Sequence, residues 1–275
     1  NTFILKPSEQ TPLSGMRLAE YLKEAGLPDG VFNVVNGAKT IVESLCDHPD
    51  IKALAFVGSS SVAKIVYTRC SQNSKRSLCL GGAKNHMIVV PDADKDSTAK
   101  GLLASSMGSA GQRCMAASVA VGVSDIDHII EQLIEEAKNF KLGVDMGTII
   151  SKDALNRING YIDEAEKMGA KVLVDGRNMN PPDDYKDGYW LGATILDNVD
   201  PEWPSAKEEI FGPVLSIIRA DTIEDAMKIE NDNPYGNAAA VFTTSGQIAK
   251  VVSEKASAGM IGVNIGVPVP RDPYS

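Results

Sequence analysis

Arg113 and Cys114 stand side by side in the stretch SSMGSAGQRCMAAS (105–118), where nearly every neighbour is small. Cysteine chemistry uses the thiolate, and a free thiol with a pKa of about 8.5 is mostly protonated at neutral pH. A nearby cation or a cluster of backbone dipoles lowers that value. Arg113 is a candidate cation, although neighbours in sequence need not have neighbouring side chains. Gly108, Ser109, Ala110 and Gly111 would leave room for a substrate at the sulfur. The competing reading is a buried cysteine acting as a small hydrophobe. That reading is kept for Cys46, Cys70 and Cys79; the polar, glycine-flanked setting makes it the weaker one for Cys114.

A second group of residues suits an anion. AFVGSSSVAKIV (55–66) reads as a strand, a glycine turn and a helix. Gly58 allows a tight turn and Ser59 is a natural N-cap, so the free amides and dipole of the helix start could take a pyrophosphate. The same pattern also arises for capping alone. In LKPSEQ (5–10), Lys6 and Glu9 close a strand three residues apart, where a carboxylate could hold ribose hydroxyls. Alternatively, Ser8 begins a capping box for the next helix.

These residues need a scaffold, and the chain alternates strand and helix throughout. Strands are expected at 2–6, 31–35, 53–58, 77–82, 86–90, 117–123, 171–175, 190–196, 211–218, 238–244 and 260–264. Helices are expected at 12–25, 39–47, 59–72, 95–107, 124–139, 151–168, 222–231 and 246–257. Alternation at this pitch, with apolar strands, predicts an α/β fold of parallel sheets with crossover helices. Two units meet near the Gly81–Gly82 pair, which reads as both a turn and a boundary: 1–81 and 82–275. The loop at 178–188, NMNPPDDYKDG, is the most polar and turn-rich segment and reads as a mobile surface loop.

With 275 residues the chain can bury a core without disulfides, and a net charge of −9 argues against nucleic acid as a partner. No apolar run is long enough to span a membrane. The four cysteines and three histidines show no metal-ligand spacing, so no metal is expected and a reducing intracellular setting fits. The start, NTFILKPSEQ, suggests a piece of a longer chain.

KPSE (6–9), FVGS (56–59), LGG (80–82), GQRC (111–114), EEIFGPV (208–214) and NPYGNAAAVFT (233–243) follow one another in an order that resembles the aldehyde dehydrogenase superfamily. The resemblance implies part of a Rossmann-type NAD-binding domain followed by a catalytic α/β domain with Cys114 as nucleophile. It implies adenosine-ribose contacts from Lys6 and Glu9, with Glu9 favouring NAD over NADP, and a pyrophosphate turn at Gly58 and Ser59. Glu209 would bind the nicotinamide ribose, and Phe211 would pack beside the ring. A solvated charge pair is the plain alternative for Glu208 and Glu209. Ala63 stands where the family's phosphate turn usually has a third glycine, and the loop at 141–151 is shorter than the family's.

One departure bears on the subclass. Hydrolytic members of the family carry a glutamate before LGG; here SLCLGGAKNH places Cys79 there. Without that base, a thiol acceptor such as coenzyme A suits the thioester better than water does. GGAKNH and VNIGVPVP (263–270) resemble the CoA-acylating methylmalonate-semialdehyde dehydrogenase branch, whose aldehyde substrates carry a carboxylate lost as CO2. Arg113 then has a second role, as a clamp on that carboxylate. The expectation is an NAD-dependent, CoA-acylating enzyme, a homodimer or homotetramer at full length, in the cytoplasm or the mitochondrial matrix. Neither malonate nor methylmalonate semialdehyde is singled out. The rivals are a hydrolytic aldehyde dehydrogenase and a non-catalytic nucleotide-binding or assembly fragment; a Cys79–Cys114 redox pair is disfavoured by disulfide geometry.

Overall fold

A computed structural model describes residues 1–266, and the end of the VNIGVPVP motif, 267–270, lies outside the described residues. The chain forms two compact units, Asn1–Gly82 and Ala83–Ser275.

In the first unit, β1 (Phe3–Leu5) pairs in parallel with β2 (Phe32–Val34), and β3 (Ala53–Val57) with β4 (Arg76–Leu80). The crossovers carry α1 (Leu13–Glu24), α2 (Lys39–Asp47) and α3 (Ser60–Gln72). Its core is small: Cys46, Val66 and Cys70 are buried, and Val42, Leu54, Phe56 and Cys79 pack against them. Burial pushes the Cys46 thiol up to about 11, which fits an inert core residue.

Two glycines in this unit serve space rather than backbone freedom. Neither Gly58 nor Gly81 adopts a positive φ. A Cβ on Gly81 would stand 2.8 Å from Ser60 Oγ and 3.1 Å from Ser60 Cα, so the end of β4 can approach the start of α3 only without a side chain. Ser60 Oγ then accepts the Gly82 amide at 3.0 Å. A Cβ on Gly58 would meet the Phe56 ring at 2.6 Å.

The second unit is built on a seven-stranded sheet in the order β11-β10-β5-β6-β9-β8-β7. The strands are β5 (Asn85–Val89), β6 (Ala117–Val123), β7 (Lys171–Val174), β8 (Thr194–Asp197), β9 (Val214–Ala220), β10 (Ala238–Phe242) and β11 (Met260–Val263). All pairings are parallel except β7 with β8. The helices are α4 (Lys95–Met107), α5 (Asp127–Lys138), α6 (Lys152–Met168), α7 (Pro204–Lys207), α8 (Ile223–Asn231) and α9 (Gly246–Lys255). Every residue of β5 and β10 is buried, as a parallel sheet covered on both faces requires.

The strand expected at 190–196 begins only at Thr194. The chain before it crosses the backbone of Gly176 instead of pairing: Gly192 N–H donates to Gly176 O at 2.9 Å, and a Cβ on Gly176 would stand 2.0 Å from Gly192 O. The strand expected from 211 starts at Val214, because Phe211 has a positive φ of 54° and Pro213 has no N–H to donate. The short helix α7, with proline in its first turn, carries no periodic signal and was not expected. The polar loop at 178–188 is mostly exposed and contains a 3-10 turn at Asp183–Tyr185. Among the described residues, no helix is long and apolar enough to cross a membrane.

His86, on β5, is 4% exposed and its Nδ1–H donates to Lys84 O at 2.9 Å. Burial pushes its pKa down to about 4, so the fold holds the ring neutral. The resulting stability is complete above the unfolded value of about 6.5 and is lost as pH falls through the folded value, up to about 3 kcal/mol in all at about 1.4 kcal/mol per unit. Both tryptophans, Trp190 and Trp203, lie in this unit. Urea unfolding followed by tryptophan fluorescence should therefore show stability falling between about pH 6.5 and pH 5, with a flatter slope in His86→Gln.

Candidate active site

The candidate residues of the second unit gather at one edge of its sheet. Strands β10, β5, β6 and β9 are adjacent and parallel, so their N-terminal ends share that edge. Asn237 immediately precedes β10, Lys84 immediately precedes β5 and Asn85 opens it, Cys114 precedes β6 by three residues, and Glu209 and Phe211 precede β9. Each helix that leads into one of these strands ends here too, so this edge collects helix C-termini and their unpaired carbonyls.

Two cations answer those carbonyls. Arg113 Nη2 donates to Ala104 O at 2.9 Å and Ser105 O at 3.3 Å, in the last turn of α4. The guanidinium lies over Gly108, where a Cβ would stand 2.3 Å from Nη2. Arg113 thus closes a helix end; the structure records no bond from it to the thiol. Lys84 is 1% exposed, and its Nζ donates to Ser205 O at 2.9 Å and Glu208 O at 2.7 Å, at the end of α7. Burial pushes its pKa down to about 7, against the raising influence of Glu209 and Glu208.

Between α4 and β6 the backbone makes a left-handed turn. Ser109 and Ala110 each have φ of 54° and Gly111 has 66°. Gly111 is the position that tolerates nothing larger, because a Cβ would stand 2.0 Å from Gly212 O. The GQRC and IFGP motifs therefore touch backbone to backbone. Gln112 staples the loop outward: its Nε2 donates to Thr148 O at 3.1 Å and its Oε1 accepts from Ile150 N–H at 2.9 Å. A turn from Arg113 O to Ala116 N, at 3.0 Å, follows, and the Cys114 thiol within it is exposed. The Cys114 carbonyl accepts from Asn85 Nδ2 at 3.0 Å and Asn237 Nδ2 at 2.9 Å.

Glu208 and Glu209 are not a free solvated pair. Tyr161 Oη donates to Glu208 Oε2 at 2.5 Å, and Glu209 Oε1 accepts the Ala83 amide at 3.1 Å. Glu209 is half-buried, and Phe211 beside it is 39% exposed. Sequence reading missed Lys84, Asn85, Gln112 and Asn237. The signals were a lysine just before an apolar strand and amides inside the quoted motifs, none of which reveals a partner distant in sequence.

In the first unit, Lys6 Nζ donates to Glu9 Oε2 at 3.2 Å and to Gly37 O at 2.9 Å. The Glu9 carboxyl is held below its ordinary value by its own backbone N–H and by Lys6. The capping-box alternative does not hold: α1 starts at Leu13 behind Pro12, and Ser8 Oγ accepts from Gln10 N–H instead. Ser59 stands at the N-cap position of α3 but caps no amide; its hydroxyl faces Ser61 Oγ at 3.3 Å.

The aldehyde dehydrogenase family model matches residues 1–274. The malonate-semialdehyde dehydrogenase of Pseudomonas aeruginosa is 44% identical over 98% of this chain and 56% of its own length. The acylating mitochondrial methylmalonate-semialdehyde/malonate-semialdehyde dehydrogenase of Rattus norvegicus is 44% identical over 96% of this chain and 50% of its own. A Sinorhizobium meliloti 1021 chain solved in complex with NAD superposes with a TM-score of 0.95 at 44% identity, covering 98% of this chain and 56% of that one. The chain thus spans about half the length of the curated relatives it matches. Motif order, the mixed α/β architecture and a family match over almost every residue agree: this chain belongs to the aldehyde dehydrogenase family.

Proposed function

We propose that this chain carries the catalytic half of an NAD-dependent, CoA-acylating dehydrogenase of malonate or methylmalonate semialdehyde. The observation that carries the reading is the exposed Cys114 thiol on a loop held at every side, in a chain whose SLCLGG segment offers no carboxylate base. The similarity to the P. aeruginosa and rat dehydrogenases supports the substrate class, and the acylating rat enzyme supports acylation.

Cys114 Sγ adds to the aldehyde carbon, and the oxygen becomes an oxyanion that backbone N–H groups such as that of Cys114 can stabilise. NAD would supply the hydride acceptor, and loss of the hydride would leave the acyl group in thioester linkage to Cys114. The thiol of coenzyme A then displaces Cys114 as thiolate; a thiol attacks a thioester without the strong base that water needs. When the substrate carboxylate leaves as CO2, the electron pair of the broken C–C bond stays on the α-carbon as a thioester enolate, which takes a proton from solvent, so the product is acetyl-CoA or propionyl-CoA.

In this reading the first unit is part of the Rossmann-type NAD-binding domain and the second is the catalytic domain. The start of α3 suits a pyrophosphate, because its first-turn amides receive no side-chain cap and Gly58 leaves the turn bare. Glu9, held as a carboxylate, suits ribose hydroxyls and repels a 2′-phosphate, with Lys6 beside it. Glu209 suits the nicotinamide ribose, and the exposed ring of Phe211 would pack beside the nicotinamide. Arg113 keeps Nη1 free of any recorded partner among the described residues, and that nitrogen is the one to meet the substrate carboxylate.

The full-length protein should form NADH from malonate semialdehyde in sustained turnover only with coenzyme A, yielding acetyl-CoA. Equal turnover without it would overturn the acylating assignment and leave Cys114 its role. Arg113→Leu should cost far more with a carboxylated aldehyde than with propanal. Equal losses would reduce Arg113 to the helix-closing role.

A further inference from the structure

The Cys114 carbonyl is satisfied twice over, and both donors are side chains from neighbouring strands. Its two acceptor positions take Asn85 Nδ2 at 3.0 Å and Asn237 Nδ2 at 2.9 Å. Asn85, 3% exposed, opens β5; its Nδ2 also donates to Ala116 O at 2.8 Å, and its Oδ1 accepts the Ala238 amide at 3.1 Å. It therefore ties the entrance of β6 on one side to the start of β10 on the other. Asn237 has fewer obligations: besides Cys114 O, its Nδ2 reaches Met115 Sδ at 3.2 Å.

From this geometry we infer that Asn85 and Asn237 are positioning residues for Cys114, which deepens the proposed function and rests on its nucleophile. A carbonyl gripped by two donors fixes the plane of the peptide bond between Cys114 and Met115. That fixes ψ of Cys114, and the 113–116 turn restrains the other side. The thiol then keeps one direction of approach while remaining exposed. An exposed nucleophile lacks the packing that normally holds a rotamer, so backbone hydrogen bonds must supply the order. Near-attack geometry is sensitive to such order: a displacement of about 1 Å can cost about a hundredfold in rate.

The test uses the full-length protein with malonate semialdehyde, NAD and coenzyme A. Asn237→Ala and the isosteric Asn237→Asp both remove the donor, and Asn237→Gln keeps an amide. The first two should lower kcat by about a hundredfold while KM changes by less than about twofold, since the loss lies in the transition state rather than in binding. Asn237→Gln should recover part of kcat, and the thermal midpoint of all three should stay near that of the parent. Unchanged kcat in both donor-less variants would overturn the inference. So would a fall in kcat that follows the thermal midpoint and that Asn237→Gln does not relieve, because that pattern is structural. Cys114→Ser separates the two levels. If it is inactive while the Asn237 variants work fully, the positioning role alone fails. If it turns over normally, the nucleophile assignment fails and the positioning role goes with it.

Discussion

Four adjacent strands, β10, β5, β6 and β9, run in the same direction, and the candidate site of the second unit depends on that alignment. Parallel strands joined by crossover helices put every helix C-terminus at the edge where the next strand begins. Ligands of open parallel sheets more often lie beyond the carboxyl ends of the strands, where helix N-termini point. Here Cys114, Glu209, Phe211 and Asn237 precede their strands, at the edge where helix C-termini leave unpaired carbonyls. The electrostatic consequence is plain: this edge recruits cations. Arg113 and Lys84 occupy it, one on the last turn of α4 and one at the end of α7.

Lys84 shows what that recruitment costs and what it gives. A lysine 1% exposed carries a desolvation penalty large enough to push its pKa far below the ordinary value. In return, its ammonium fixes two carbonyls of the segment that ends in Glu209 and Phe211. The Ala83 amide next to it holds the Glu209 carboxylate directly. One short stretch, Ala83–Asn85, thus orders both the Glu209 segment and, through Asn85, the Cys114 turn. The backbone contact of Gly111 with Gly212 joins the same two segments from the other side.

The sequence made the elements legible because their signals are local. The helices at 39–47 and 95–107 and the strand at 117–123 have the extents that periodicity and composition predict. Errors fall where a distant contact decides. Trp190–Ala193 has the composition of a strand, yet the crossing at Gly176 prevents pairing. Ser59 has the identity and position of a cap, yet its hydroxyl turns to Ser61. The glycines at 58 and 81 read as turn formers in the sequence, and the structure uses them as space.

By itself, the sequence determined the α/β class, the family through six ordered motifs, and Cys114 as the one cysteine in a polar, uncrowded setting. Those properties lie in residue identity and short-range spacing. Only the tertiary structure decided what surrounds the thiol. Asn85, Asn237 and Cys114 are far apart along the chain and meet because strand order places β5 between β10 and β6. Arg113 is adjacent to Cys114 in sequence, yet its guanidinium goes to the end of α4, where the unpaired carbonyls of a helix terminus attract it.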